Sequence, residues 1–435
     1  MGSPMLRIWR LLTVSLILLG AVLATTEVVA KAPAVEVLRV KGVVNPVLAD
    51  YLDRGIKKAE DTGAVACIIE MDTPGGLDTS MREIVQDILD SRVPVVVYVS
   101  PPGARAASAG TFITVAAHVA AMAPDTVIGA AHPVGISTTG ETSAVDEKVV
   151  NDAAAYMRTL AETRGRNADW AEKAVRESVS ATETEAKNLN VIDIISPNLN
   201  DLLSQLDGRK VVLVDGKEIT LKTAGATAEY VDMDLAESFL YTIADPNIAY
   251  VLLSLATIGL LVEISSPGLI FPGVVGGICL VLAFYALGVL PVNWAGVMLI
   301  LLAFGLFIAE VFTTGFGALA AGGIASLILG SIILFKGGPL FSVSPWLIAI
   351  VVILVAGFML FAVQRVVAAH RKQATTGREE LVGKVAVVKK ALKPEGFVLI
   401  KGELWDAISE SGPVEAGEEV TISRVEGLKV YVSKK

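Results

Sequence analysis

The apolar positions change their spacing along the chain, and each change marks a different kind of structure. Over residues 33–230, short β-type runs alternate with stretches of helical spacing. Val35–Val40 alternates and is rich in valine, which predicts a strand. In Asn45–Glu60, Leu48, Tyr51, Leu52, Ile56 and Ala59 recur at helical spacing behind an Asn45-Pro46 cap and first turn. Ala64–Met71 is apolar apart from Glu70 and predicts a buried strand. Leu77–Leu89 returns to helical spacing through Met81, Ile84, Val85 and Ile88, and Pro94–Val99 is the next strand. Strands alternating with helices predict a parallel sheet covered by helices. In such sheets, sites lie beyond the carboxyl ends of the strands.

The same segment continues with helices over Glu147–Arg164 and Trp170–Val179, broken at Arg164-Gly165-Arg166-Asn167. Thr182–Glu185 caps a short helix, Val191–Ile195 predicts a strand and Asp201–Leu206 a helix. A hairpin of Lys210–Val214 and Glu218–Leu221 turns at Asp215-Gly216.

From about residue 246 to 368 the pattern becomes continuously apolar. Ile248–Ile264, Val274–Leu290, Ala295–Phe312, Ala318–Phe335 and Trp346–Val363 are each near the length that crosses a hydrocarbon core of ~30 Å. The first is short and followed by Pro267, so four or five spans are expected. GLLVEISSPGLIFPGVVGGI (259–278) echoes GLFIAEVFTTGFGALAAGGI (305–324), a duplicated helix–break–helix unit. It places Glu263 and Glu310 either inside the bilayer, where carboxylates are usually functional, or at helix ends. The glycine runs let helices pack closely. Arg365, His370, Arg371, Lys372 and Arg378 follow the last span and mark a cytoplasmic end.

Beyond 377 the pattern changes to five short strand signals, Leu381–Lys389, Gly396–Ile400, Glu403–Ile408, Glu419–Val425 and Leu428–Val432, a number and length that fit a small all-β barrel of the OB type. Phe397, Trp405 and Tyr431 are its only candidates for base stacking, so no nucleic-acid partner is expected. At the other end, Arg7 and Arg10 precede the apolar run Leu11–Leu23, and Ala30-Lys31-Ala32 has signal-peptidase spacing. Residues 1–32 therefore read as a cleaved signal peptide, with an uncleaved anchor as the alternative. The segment 33–230 is then exported, and five crossings carry 377–435 into the cytoplasm.

Composition agrees with this layout. The 435 residues are 53% hydrophobic and carry a net charge of −9, with a mean hydropathy of +0.62. The acidic balance argues against nucleic acid as a partner. Cys67 falls in a strand and Cys279 in a span, so the cysteines form no disulfide framework.

The chemistry centres on Pro101–Gly110, PPGARAASAG, which runs from a strand through a glycine turn to a serine at the mouth of a helix. That arrangement exposes a nucleophilic hydroxyl, here Ser108, although a serine there also serves as a plain N-cap. The free N–H groups of a helix start hold an oxyanion, and Ala109 supplies the one next to Ser108. Asp72–Gly76, DTPGG, ends the preceding strand, and Gly76 offers an N–H that no side chain shields. Read alone, Pro-Gly-Gly is equally a tight turn. His132 follows Ser108 as a possible base, oriented by Asp125 or Asp146. His118 reads as a helix-end residue without a role.

The segments DTPGG, VYVSPPGARAASAGTFI, AAMAPDTVIGAAHPVG and NDAAAYMRTLAETRGRN resemble the NfeD-type membrane serine proteases, relatives of ClpP and signal peptide peptidase A. The resemblance implies an α/β crotonase/ClpP-like soluble domain over 33–230, a multi-span α-helical membrane domain over 246–368, and an OB-like barrel over 377–435. It implies Ser108 as nucleophile and a lysine as base. Lys148, in the first turn of the helix after the polar run Ser137–Asp146, matches best. A lysine acts as base only when neutral, so its ordinary pKa of about 10.4 must fall by burial and by the helix N-terminus. The resemblance further implies a serine endopeptidase in the cell membrane, without metal or organic cofactor, working as a homodimer or higher homo-oligomer. Its substrate is then a hydrophobic segment of a stomatin-like membrane protein. A non-proteolytic scaffold for such a partner is the rival reading. An acyl-CoA enzyme of the crotonase group is a third, and it would not need the Ser–Lys pair.

Overall fold

The computed structural model describes residues 13, 33–133, 147–265, 268, 270–313, 317–335, 338–371 and 378–435. The expected signal peptide, the polar run Ser137–Asp146, Pro267 and Lys372 lie outside the described residues, Thr13 excepted. The chain forms two compact units. The first runs to Leu260 and includes Phe271–Met298 and Leu329–Ile348; the second comprises Leu261–Ile270, Leu299–Ile328 and Ala349–Lys435.

The first unit opens with β1 (Ala34–Lys41), α1 (Pro46–Thr62), β2 (Ala66–Asp72), α2 (Asp78–Asp90), β3 (Val95–Val99) and β4 (Arg105–Ala107). Next come α3 (Ala109–Ala116), β5 (Val119–Met122), β6 (Val127–Gly129), α4 (Glu147–Thr163), α5 (Ala168–Arg176), β7 (Ser180–Thr182) and α6 (Glu183–Asn188). β8 (Ile194–Ile195), α7 (Leu199–Leu206), β9 (Lys210–Val212), β10 (Glu218–Thr220), β11 (Thr227–Tyr230) and α8 (Leu235–Ile243) complete its α/β part.

The main sheet has the order β11-β1-β2-β3-β5-β8, and every pairing in it is parallel. Its strands are apolar on both faces because both faces are covered. Val95, Val97 and Val99 of β3 enter the core beneath α1, α2 and α3. Val96 and Tyr98 enter the opposite core, with Leu202, Leu203 and Leu206 of α7. A second sheet, β4-β6-β7, stands beside the first. The two meet where Thr73 pairs with Ala106: the Thr73 N–H donates to the Arg105 carbonyl at 2.7 Å and the Ala107 N–H to the Thr73 carbonyl at 3.1 Å. Helices on both faces of a parallel sheet give the α/β fold expected for this part of the chain.

Most expected elements form within a residue or two of their predicted ends, for a local reason in each case. Asn45 caps α1 by accepting from the Leu48 N–H, with Pro46 in the first turn. Thr182 and Glu185 make a reciprocal capping box on α6. Val191–Ile195 contracts to the two-residue β8. The strands β4, β5, β6, β7 and β11 are additions. All are four residues or fewer; β4 falls inside what reads as a turn, and β11 is exposed at every position and shows no apolar period.

After β11 the chain does not become a loose linker. Asp234 and Glu237 form a capping box on α8, Arg54 of α1 pairs with Glu237 at 2.7 Å, and the Tyr241 hydroxyl donates to the Val43 carbonyl at 3.1 Å. Burial pushes the Tyr241 phenol up to about 12. Two residues later α9 (Pro246–Ser265) begins, the first of five apolar helices. The others are α10 (Ile270–Val289), α11 (Trp294–Phe312), α12 (Ala318–Ile333) and α13 (Pro345–Arg371).

Two apolar stretches, Pro246–Ile264 and Ile270–Val289, are long enough to cross a membrane; Trp294–Glu310, Ala318–Ile333 and Pro345–Phe361 are shorter. Close packing through glycine is visible between α9 and α10. A Cβ on Gly259 would lie 2.6 Å from the Pro272 carbonyl oxygen. Cys67 and Cys279 are both free.

In the second unit, Glu310 is 4% exposed. Its carboxylate accepts from the Gly317 N–H at 2.8 Å and the Ala320 N–H at 3.0 Å. It caps the N-terminus of α12, where the backbone donors lack partners and the helix dipole favours an anion. Of the two readings of this glutamate, the helix-end one describes its position. Its counterpart Glu263 differs: one of its carboxylate oxygens is buried without a partner among the described residues.

The chain closes with β12 (Val385–Lys390), β13 (Glu395–Ile400), β14 (Glu403–Ser409), β15 (Glu419–Glu426) and β16 (Lys429–Lys434) in a barrel ordered β12-β13-β14-β16-β15. β14 and β16 run parallel, and Val398, Ile400, Val420, Ile422, Val430 and Val432 fill the interior. Leu381 belongs to a 3-10 turn, Arg378–Leu381, ahead of the first strand.

Replacing Glu310 by Ala strands two donors in a buried place. It is expected to lower stability by about 1–3 kcal/mol. Glu310→Gln, which keeps one acceptor, is expected to fall in between. Thermal unfolding of the full chain in detergent measures both, and an unchanged midpoint for Glu310→Ala would contradict the capping role.

Candidate active site

Ser108 joins β4 to α3 with φ 52° and ψ −116°. A serine at positive φ is strained and persists only where its surroundings hold it. Here the Ser108 N–H donates to the Gly129 carbonyl at 3.1 Å, and the Ser108 carbonyl accepts from the Thr111 N–H at 2.9 Å. Ser108 occupies the N-cap position of α3, yet its side chain makes no capping bond. The hydroxyl is left available at the mouth of the helix.

Gly75 explains why the loop after β2 is rich in glycine. Its φ is +118°, and a Cβ there would lie 2.7 Å from the Ser108 Cβ and 3.2 Å from its Oγ. At Gly76 a Cβ would lie 2.0 Å from the Val44 carbonyl oxygen. The Pro-Gly-Gly segment is thus a turn and also the surface against which Ser108 rests.

Two backbone donors flank the hydroxyl. Val44 exchanges bonds with the Gly75 carbonyl and the Leu77 N–H, both 2.9 Å, and Gly76 between them keeps its N–H unused among the described residues. Ala109 is the first residue of α3, where an N–H has no partner within the helix.

Ser108, Gly76, Ala109 and Lys148 line one cavity of about 550 Å³, together with Arg82 and Phe112. Lys148 lies in the first turn of α4 and is exposed, so the helix-start position expected for it is met and the expected burial is not. Its helix is held against α3 by an offset stack of Phe112 on Tyr156, with centroids 6.0 Å apart. The Arg82 guanidinium lies 4.6 Å over the Tyr156 ring. Arg82 also pairs with Asp78 at 2.9 Å and with Asp152 at 2.5 Å, one turn beyond Lys148. None of these supporting residues stands out in the sequence, because their roles depend on α2, α3 and α4 meeting.

His132 does not line the cavity with Ser108. Its Nδ1 lies 2.7 Å from the Val175 carbonyl oxygen, which can only accept, so Nδ1 carries the proton. The cavity takes its lining from Ala131 and Pro133 on either side. Asp125 sits in an exposed turn at φ 60°, and its carbonyl accepts from the Gly103 N–H at 3.0 Å.

The far end of α3 is closed by the arginines that read as a helix break. Arg164 Nε donates to the Ala116 carbonyl at 2.8 Å. Arg166 Nη1 donates to the Val115 and Ala117 carbonyls at 2.5 and 2.8 Å, and Arg166 pairs with Asp193 at 2.6 Å. Cations at a helix C-terminus satisfy its last carbonyls and suit its dipole. His118, expected to have no role, accepts the Val95 N–H at 3.2 Å. Burial, then the charges of Arg164 and Arg166, push it down to about 3.

The matches to known proteins fall on the same three segments. Residues 34–200 match the N-terminal domain of NfeD1b, residues 247–365 the NfeD integral membrane domain, and residues 378–434 the NfeD-like C-terminal, partner-binding domain. A membrane-bound protease of Pyrococcus horikoshii is 39% identical over 408 residues, 92% of each chain. Among solved structures, a lysine-to-alanine mutant of a membrane-bound stomatin-specific protease, in complex with a substrate peptide, is 38% identical. It covers 49% of this chain and 98% of its own, with a TM-score of 0.47. A mutant of such a protease with serine changed to alanine is 40% identical, covering 47% of this chain and 99% of its own, with a TM-score of 0.45.

Two outcomes follow from this geometry. Gly75→Ala forces a methyl onto Ser108 and is expected to cut turnover by about 10²-fold or more while the sheet remains folded; peptide turnover alongside circular dichroism checks it. Neutral His118 has a folded pKa below the unfolded value of about 6.5, so the unfolded chain binds its proton more readily. Its contribution is complete above about pH 6.5 and is lost as the pH falls towards 3. Denaturant unfolding at about pH 7 and about pH 4.5 is expected to show this loss, and His118→Gln to flatten it.

Proposed function

This chain belongs to the NfeD family, and on that premise we propose that it is a membrane-anchored serine endopeptidase working through Ser108 and Lys148. The observation that carries the reading is the strained, uncapped Ser108 at the helix mouth, in one cavity with Lys148 and with the N–H groups of Gly76 and Ala109. The Ser108 Oγ attacks the peptide carbonyl while neutral Lys148 takes its proton. The developing oxyanion is received by the Gly76 and Ala109 N–H groups. Lys148 then gives the proton to the leaving amine; in the second half it deprotonates the water that attacks the acyl ester and returns that proton to the Ser108 Oγ as the acid leaves.

The substrate is an apolar segment of a stomatin-like membrane protein. Leu77, Met81 and Phe112 give the cavity an apolar lining suited to such a segment, and the related protease is specific for stomatin by its name. Residues 1–32 are a signal peptide and 33–230 the protease domain, outside the cytoplasm. Residues 246–368 span the membrane. The barrel, 377–435, faces the cytoplasm and binds the partner. His132 is not the base in this reading, because it does not line the cavity that holds Ser108, whereas Lys148 does.

The test uses the full chain in detergent with peptides covering the hydrophobic tail of a stomatin-like protein, and mass spectrometry reads the products. Wild type is expected to cleave, and Ser108→Ala and Lys148→Ala each to lose at least about 10³-fold. Full activity of Lys148→Ala with loss in His132→Ala would move the base to His132. Binding without cleavage by wild type would leave a scaffold in place of an enzyme.

A further inference from the structure

The cavity that holds Ser108 is also bounded by residues from much later in the chain. Phe341 ends the 3-10 turn Gly338–Phe341 between α12 and α13, and Pro291 lies between α10 and α11. Both line the cavity with Gly76, Leu77, Ser108 and Lys148. The Phe341 ring is 5% exposed. It is buried with Ala249, Ala286 and Leu290, against Val43 and Leu77. Leu77 directly follows Gly76, so the cluster that holds the ring reaches the residue next to one of the two proposed oxyanion donors.

This wall is built rather than loosely draped. Val292 pairs with Phe335 across the two loops, the Asn293 N–H donates to the Leu334 carbonyl at 2.8 Å, and the Ser344 N–H donates to Asn247 Oδ1 at 2.8 Å. The charged residues Asp78, Arg82 and Asp152 of the cavity are tied to one another, which leaves the Phe341 and Pro291 side to present apolar surface. Burying an apolar side chain there removes both surfaces from water.

We propose that Phe341, with Pro291 beside it, is a specificity-determining wall of the substrate cavity, selecting an extended peptide that carries a bulky apolar side chain next to the scissile bond. The inference rests on reading the cavity as the proteolytic site. It makes the helical apolar region part of the substrate site as well as an anchor for it.

The test measures binding, so it does not depend on turnover. The full chain carrying Ser108→Ala, in detergent, is titrated with two fluorescein-labelled peptides that differ only in a Leu or a Ser at the position preceding the scissile bond. The Leu peptide is expected to bind about tenfold or more tightly. Adding Phe341→Ala is expected to erase that preference, and Phe341→Leu to keep most of it. Pro291→Asp places a charge on the half-buried side of the wall and is expected to erase the preference without disturbing the packed ring; it decides the matter if Phe341→Ala does not fold. An unchanged preference in Phe341→Ala or in folded Pro291→Asp, or no binding of either peptide, would overturn the proposal. Loss of the preference in a chain whose wild type cleaves nothing would count against the protease reading alone. Cleavage by wild type with a neutral Phe341 would count against this wall alone.

Discussion

The arrangement at Ser108 depends on a close approach with no room for a side chain. Gly75 stands where any Cβ would collide with the serine, and the Thr73–Ala106 pairing draws the two loops to that distance. The serine cannot relax to an ordinary backbone conformation because its N–H is bonded to Gly129 in the neighbouring strand. The strain is offset by the buried α3, whose residues from Ala109 to Ala116 are all excluded from solvent. That helix is held at both ends: by the second sheet where it starts, and by Arg164 and Arg166 on its last carbonyls. A serine at the tip of a helix is placed only as well as the other end is fixed.

Lys148 is held near by less costly means. Its helix shares an aromatic stack with α3, worth about 0.5–1.5 kcal/mol beyond burial. The partly exposed ion pairs of Arg82 add about 0–1 kcal/mol each. Packing therefore carries the attachment of the two helices, and Arg82 ties α2 to Asp152, one turn beyond Lys148. A support of this size constrains the first turn of α4 less tightly than the backbone bonds and close approach of Gly75 constrain Ser108.

Much of the fold could be read from the sequence because its signals are local. The strands and helices from Val35 to Val99 declare themselves by period, and Ser108 by the strand–turn–helix order around it. The barrel is visible as five short runs. Other features were hidden for physical reasons. A three-residue strand such as Arg105–Ala107 is too short to show alternation, and Thr227–Tyr230 has no buried face to reveal. Arg164 and Arg166 look like a helix break because the carbonyls they satisfy belong to a different helix. Glu310 stands out as an acid among apolar residues, but its capping role depends on how the chain turns seven residues later. Phe341 gives no signal at all, since only the folded chain brings it to Leu77.

The short rigid stem between β11 and α9 has a consequence for what can be cut. β11 is an edge strand of the main sheet, α8 is clamped to α1 through Arg54 and to the end of β1 through Tyr241, and α9 starts almost at once. Under the proposed function, Ser108 mounted on such a stem would work like a blade set at a fixed height above a table. For the proposed protease, a target anchored in the same membrane would then be selected by reach as well as by side chain, the bond that breaks lying the right number of residues from its own anchor.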